Sequence, residues 1–228
     1  RIGTERVRQD RSSPKFPRQL SNRLPRQRRQ PASVTHLSEA IVETLAGMLP
    51  GGSILHEPEF AGAEREYVGE CIDTAWVSSV GAYVDRFEAN LCAYTGARYA
   101  VATVNGSAAL HLSLILAGVE AGDEVMLPAL TFVATANAVA YAGAMPHFVD
   151  CEAATFGIDA ARLAAHLEEI AEVRGGNCFN RQTGARIGAV IVVHIFGHPA
   201  DLDSLAETCA RFSLPLIEDA AESLGPTY

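Results

Sequence analysis

From Tyr99 to Ile217 the chain alternates between two hydrophobic patterns. Short apolar runs occur at Tyr99–Val104, Glu124–Leu127, Pro146–Val149, Ala189–Val193 and Leu214–Ile217, and they read as strands. Between them, helices are read over Ala109–Gly118, opened by a turn, over the small-residue stretch Thr131–Tyr141, over Ala160–Ile170 with Leu163 and Leu167 on one side, and at Leu202, Leu205 and Cys209. Pro128 closes the second strand and Gly143 ends the second of these helices. Strands alternating with helices imply βαβ units and a mostly parallel sheet, an α/β fold. Arg174–Arg186, with three glycines, reads as a polar loop.

Ahead of this region only helical spacing is present. Leu37, Ile41, Leu45 and Met48 mark a first helix, stopped by Pro50-Gly51-Gly52. Residues 56–60 form an extended connector, and Val68, Cys71, Ile72 and Ala75 predict an amphipathic helix over 63–75. Trp76–Gly81 is a turn with two hydroxyls, and Val84, Phe87 and Leu91 mark a helix over 82–95. Residues 1–33 are rich in Arg, Pro, Ser and Gln without apolar periodicity, the composition of a disordered tail. The expected organisation is a basic tail over 1–33, a helical segment over 34–95 and an α/β domain over 96–228.

Charge sharpens this picture. The 228 residues carry a formal charge of −9, but ten of the 18 basic residues lie in residues 1–33. Residues 34–228 hold eight basic and 25 acidic residues, so the body is strongly acidic. Nucleic-acid binding needs clustered cations, which this body lacks. No apolar run reaches the length of a membrane span, so no membrane partner is expected. The five cysteines are odd in number and form no CxxC pair. They read as reduced thiols of a cytoplasmic protein, with no metal site expected. The chain contains one lysine, Lys15.

Candidate chemistry gathers at the strand ends, where open α/β sheets bind ligands. Leu214–Gly225 is the organising stretch: an apolar strand, then Glu218 and Asp219, then small residues. A carboxylate there can hold a cationic group, or it can be a solvated acidic turn. Asn105-Gly106-Ser107-Ala108 turns from a strand into a helix and offers free N–H groups to an anion, or simply caps the helix. Phe132 follows the second strand and can stack on a flat ring or pack in the core. An anion site, a ring platform and a carboxylate together suit a phosphorylated heteroaromatic cation such as pyridoxal phosphate.

The residues that carry this set resemble the DegT/DnrJ/EryC1 family of pyridoxal-phosphate-dependent sugar aminotransferases. The resemblance rests on Val77–Gly81, Tyr83–Glu88, Val104–Leu110, Ala121–Val125, Thr131–Ala138, Val193–Pro199 and Glu218–Ser223. Their wording and the loop Asn180–Arg186 are closest to the LegC-like branch. That branch aminates nucleotide-linked 4-keto-6-deoxy sugars on the way to legionaminic-type sugars and surface polysaccharides. The resemblance implies the large domain of the aspartate-aminotransferase-like fold, fold type I.

It also implies roles. Gly106, Ser107 and Ala108 would hold the cofactor phosphate, Phe132 would stack on its ring, and Asp219 would pair with the ring nitrogen. Glu222 falls where many members have a glutamine facing the ring hydroxyl. Ser78 and Ser79 would approach the sugar, while His111, His194 and His198 read as structural. Glutamate would be the amino donor and the whole protein a homodimer. The family's Schiff-base lysine lies after the Glu-Asp strand, and Lys15 does not match it. The resemblance therefore implies an N-terminal part of an aminotransferase, inactive alone, whose last strand is a sheet edge. Two alternatives stay open: a dehydratase relative with histidine for the lysine, and a non-catalytic α/β binding module.

Overall fold

The computed structural model describes residues 32–49 and 58–225. The basic tail up to residue 31 and the Pro50-Gly51-Gly52 stop lie outside these residues. The chain divides into two units between Glu66 and Tyr67. In the first, α1 (Ala32–Met48) bears out the expected helix, and its Leu37, Ile41, Leu45 and Met48 are exposed.

The second unit begins within α2 (Glu64–Asp73), followed by α3 (Ala82–Thr95), both close to their predicted spans. Its centre is a sheet of β1 (Glu124–Pro128), β2 (Met145–Val149), β3 (Ala171–Arg174), β4 (Asn177–Asn180), β5 (Arg186–Val193) and β6 (Leu216–Asp219). α4 (Gly106–Leu116) precedes the sheet, and the helices between its strands are α5 (Val133–Tyr141), α6 (Ala160–Ile170) and α7 (Leu202–Arg211). The pairs β1–β2, β1–β5 and β5–β6 are parallel, whereas β3–β4 and β4–β5 are antiparallel.

Side chains alternate across each strand, and that alternation builds two cores. Val125, Leu127, Ala189, Ile191 and Val193 face Leu110 and Leu114 of α4 and Ala138 and Val139 of α5. Met126, Val190 and Val192 face Leu163, Leu167 and Ile170 of α6 and Leu205 and Cys209 of α7. Strands buried on both faces read as continuous apolar runs, which is why β1 and β5 were legible from sequence.

β5 is paired along both edges, and its second edge is shared. Ile187 and Arg186 pair with β4, while Val190–Val193 pair with β6. The ladder with β6 runs to Asp219 because β5 extends to Val193, so Glu218 and Asp219 lie inside the strand rather than after it.

Two sequence expectations are corrected. Tyr99–Val104 is not a strand. A strand needs a neighbour to take its backbone groups, and among the described residues this segment pairs with none. Its Ala102 N–H donates to Glu88 Oε1 at 2.7 Å instead, and Val101 and Val104 are exposed. The expected loop Arg174–Arg186 contains the turn and second strand of a β-hairpin. Gly175 and Gly176, at φ 60° and 78°, supply the two left-handed residues of a tight two-residue turn. The rest of that loop is anchored by a buried carboxylate at the start of β1. Glu124 accepts hydrogen bonds from Thr183 Oγ1 (2.6 Å), Asn180 Nδ2 (2.9 Å) and His147 Nδ1 (2.8 Å).

Candidate functional site

A hollow of about 510 Å³ opens at the carboxyl ends of β5 and β6. Gly106, Ser107, Phe132, Asp219 and Glu222 all line it. Of the residues expected to serve an anion, a ring and a cation, all but Ala108 therefore meet in one place. Leu110, Leu130, Val193 and Ile195 supply apolar wall.

The anion end is the start of α4. Asn105 caps the helix, its Oδ1 accepting the Ala108 N–H at 2.9 Å. Ala108 thus spends its N–H on the cap, and it does not line the hollow. The N–H groups of Gly106 and Ser107 stand before the first helical acceptor and have none within α4. A Cβ at Gly106 would meet nothing within 4 Å, so a ligand can approach that backbone. These N–H groups and the helix dipole favour negative charge. Both cap and anion readings of this turn are thereby accommodated, on different N–H groups.

Phe132 is 76% exposed at the start of α5. It is not a core phenylalanine, and its ring is available to stack. Strand parity decides which of the two adjacent acids serves the hollow. Asp219 shares the α4/α5 face of the sheet with Ile217, and Glu218 points to the other face. Asp219 Oδ2 accepts a hydrogen bond from Thr135 Oγ1 at 3.2 Å, and Oδ1 accepts one from the Ala221 N–H at 3.3 Å. Thr135 is fully buried and also lies 2.9 Å from Thr131 Oγ1.

His194 also lines the hollow and is 3% exposed. Its Nδ1 accepts the Ala200 N–H at 3.0 Å, so its hydrogen sits on Nε2, which donates to Glu218 Oε1 at 3.0 Å. The ring ties the turn after β5 to β6, the structural role expected of it. His111 packs edge-on against Tyr141, and His198 is exposed beside Phe156. Glu222 faces the hollow and its Oε2 accepts the Phe196 N–H at 2.9 Å. Ser78 lines a separate hollow between α2 and α3 with Trp76 and Tyr83. Ser79 lines neither hollow. Sequence reasoning assigned no role to Thr135, Thr131 or Phe196. The four-residue spacing of the two threonines on a helix leading from a strand end was the available signal.

The donor set fits a phosphorylated pyridinium. Backbone N–H groups suit the phosphate, Phe132 the ring, and Asp219 a protonated ring nitrogen. Among the described residues no lysine or arginine lines the hollow, and the start of α4 is its source of positive potential.

The fold is that of the large domain of pyridoxal-phosphate aminotransferases. It aligns with 3-amino-5-hydroxybenzoic acid synthase at a TM-score of 0.62 and 32% identity, over 76% of this chain and 41% of that one. Residues 58–228 match the DegT/DnrJ/EryC1/StrS aminotransferase family, and the chain belongs to it. It is 42% identical over 171 residues to GDP-perosamine synthase of Caulobacter vibrioides, covering 75% of this chain and 42% of that protein. It is 37% identical over 174 residues to the putative pyridoxal phosphate-dependent aminotransferase EpsN of Bacillus subtilis, covering 76% and 42%. The chain spans less than half the length of these curated relatives. No helix among the described residues is long and apolar enough to cross a membrane, and no group of three or more His, Cys, Asp or Glu could hold a metal ion.

Proposed function

We propose that this chain is the cofactor-binding part of a pyridoxal-phosphate-dependent aminotransferase acting on a nucleotide-linked 4-keto-6-deoxy sugar. The observation that carries the reading is the shared hollow of the α4 start, Phe132 and Asp219. In it, Gly106 and Ser107 bind the phosphate through their N–H groups, and Phe132 lies against the ring. Asp219 holds a proton on the ring nitrogen, and Glu222 faces the ring hydroxyl. When bound, the cofactor supplies an electron sink for moving the amino group. The apolar wall of Leu110, Val193 and Ile195 limits water at the ring.

The similarity to GDP-perosamine synthase supports a GDP-linked sugar as the first substrate to test. The LegC-like wording of the sequence is the finer reading within the same chemistry. Family membership supports glutamate as donor, a homodimeric whole protein and a cytoplasmic setting.

The cofactor part of the reading is tested on the chain itself, by fluorescence titration with pyridoxamine 5′-phosphate. Binding that weakens on Asp219→Asn is the expected result, and no binding overturns it. The substrate part is tested on the full natural reading frame with glutamate and GDP- or UDP-linked 4-keto-6-deoxy sugars. Amination of the GDP sugar is expected. Selective amination of the UDP sugar would overturn the GDP assignment.

A further inference from the structure

Thr135 differs from three threonines on or just after other helices. A threonine in a helix commonly returns its hydroxyl to the carbonyl four residues back. Thr44, Thr74 and Thr95 all do so, onto Ala40, Glu70 and Leu91 at 2.6–2.8 Å. Thr135 is fully buried and sends its hydroxyl to the carboxylate of Asp219 instead.

The direction of the bonds follows from chemistry. A hydroxyl has one hydrogen, and an ionised carboxylate only accepts. Thr135 therefore donates to Asp219 Oδ2 and accepts from Thr131 Oγ1. The hydrogen-bond chain runs from Thr131, on the wall of the hollow, through the buried Thr135 to Asp219. Asp219 Oδ1 is tethered separately by the Ala221 N–H. With one tether on each oxygen, the plane of the carboxylate is set before any ligand arrives.

Resting on the proposed function, we infer that Thr135 is a positioning residue that makes the site selective for a ligand carrying a protonated ring nitrogen. It touches no ligand and acts through the orientation of Asp219. Groups held in place in advance recognise charge at lower cost than groups that must be ordered on binding. The same carboxylate without its tether still carries charge but must be ordered by the ligand.

The test compares two probes on the chain: pyridoxamine 5′-phosphate and its analogue with CH in place of the ring nitrogen. Wild type is expected to prefer the nitrogen-bearing probe. Thr135→Val keeps the shape and removes the hydroxyl, and it should shrink that preference by about tenfold, the scale of one charge-assisted hydrogen bond. Thr135→Ser should restore it. In an Asp219→Asn background, Thr135→Val should change the preference no further. A merely structural role would weaken both probes equally and leave their ratio unchanged.

A wild-type ratio retained in Thr135→Val overturns the inference. Where the valine variant does not fold by circular dichroism, Thr135→Ala is read on the same ratio with the same two outcomes. Wild type that binds both probes equally overturns Asp219 as the nitrogen partner and the inference with it. Wild type that binds neither overturns the proposed function itself.

Discussion

The backbone N–H of Phe196 donates to Glu222 Oε2 at 2.9 Å, which joins the turn after β5 to the segment after β6. The carboxylate that faces the hollow is thus already partly used by the protein. A glutamine can accept the same bond through its carbonyl oxygen and offer its NH2 group to a ring hydroxyl, which an ionised glutamate cannot do. Glu222→Gln should leave the urea midpoint unchanged and tighten pyridoxamine 5′-phosphate binding about fivefold, the worth of one neutral hydrogen bond. Glu222→Leu should lower stability by about 1 kcal/mol through the lost Phe196 bond. Denaturant titration and fluorescence titration read the two effects separately.

Gly197 lies in the same turn with φ 78°, and a Cβ there would meet the Glu222 carbonyl oxygen at 2.9 Å. Both the left-handed backbone and the close approach exclude a side chain. Gly197→Ala should cost about 1–3 kcal/mol in urea unfolding. It should also weaken cofactor binding, because relief of the clash moves Glu222. Unchanged stability would show that the turn has room the structure does not display.

Glu124 gives the protein an acid-sensitive anchor at the far end of the sheet. Burial opposes its ionisation, but hydrogen bonds from Thr183, Asn180 and His147 outweigh that and hold the carboxyl below its ordinary value of 4.5. A depressed folded value means the ionised group stabilises the fold above the unfolded value, and that contribution is lost as pH falls through the folded one. Urea midpoints measured from about pH 6 down to about pH 3 should fall, and Glu124→Gln should flatten the decline. A variant with the full wild-type slope would place the acid sensitivity elsewhere.

The thiols should divide by burial. Burial pushes Cys178 and Cys209 up to about 11, so neither forms thiolate readily at pH 8. Cys71, Cys92 and Cys151 are partly exposed and free. Ellman's reagent should titrate at most three thiols in the folded chain and all five after unfolding in guanidinium. Rapid reaction of a fourth thiol under native conditions would contradict the packing of α7 or β4.

Much of the site was legible because its residues sit at positions that local rules define. Asp219 closes a strand, Gly106 and Ser107 open a helix, and Phe132 follows a strand in a turn. Only the inclusion of Asp219 within β6 itself depends on a distant partner, Val193 of β5. Thr135 escaped because its role depends on a residue 84 positions away. In a helix of alanines it reads only as a weak helix former. The hairpin of β3 and β4 escaped for a different reason. Charged and amide residues interrupt its alternation, and only Gly175-Gly176 marks the reversal. Tyr99–Val104 failed the other way: its β-branched and aromatic residues have strand propensity, yet strand formation depends on a neighbour.

The divided edge of β5 gives the hairpin and the Asp219 strand separate stretches of one strand. Arg186 and Ile187 belong to the hairpin, and Val190–Val193 belong to the strand that carries Asp219. Lineages could therefore lengthen, shorten or recharge the glycine-turned arm without re-aiming the aspartate. One strand lets the same scaffold vary at its base and stay constant at its rim.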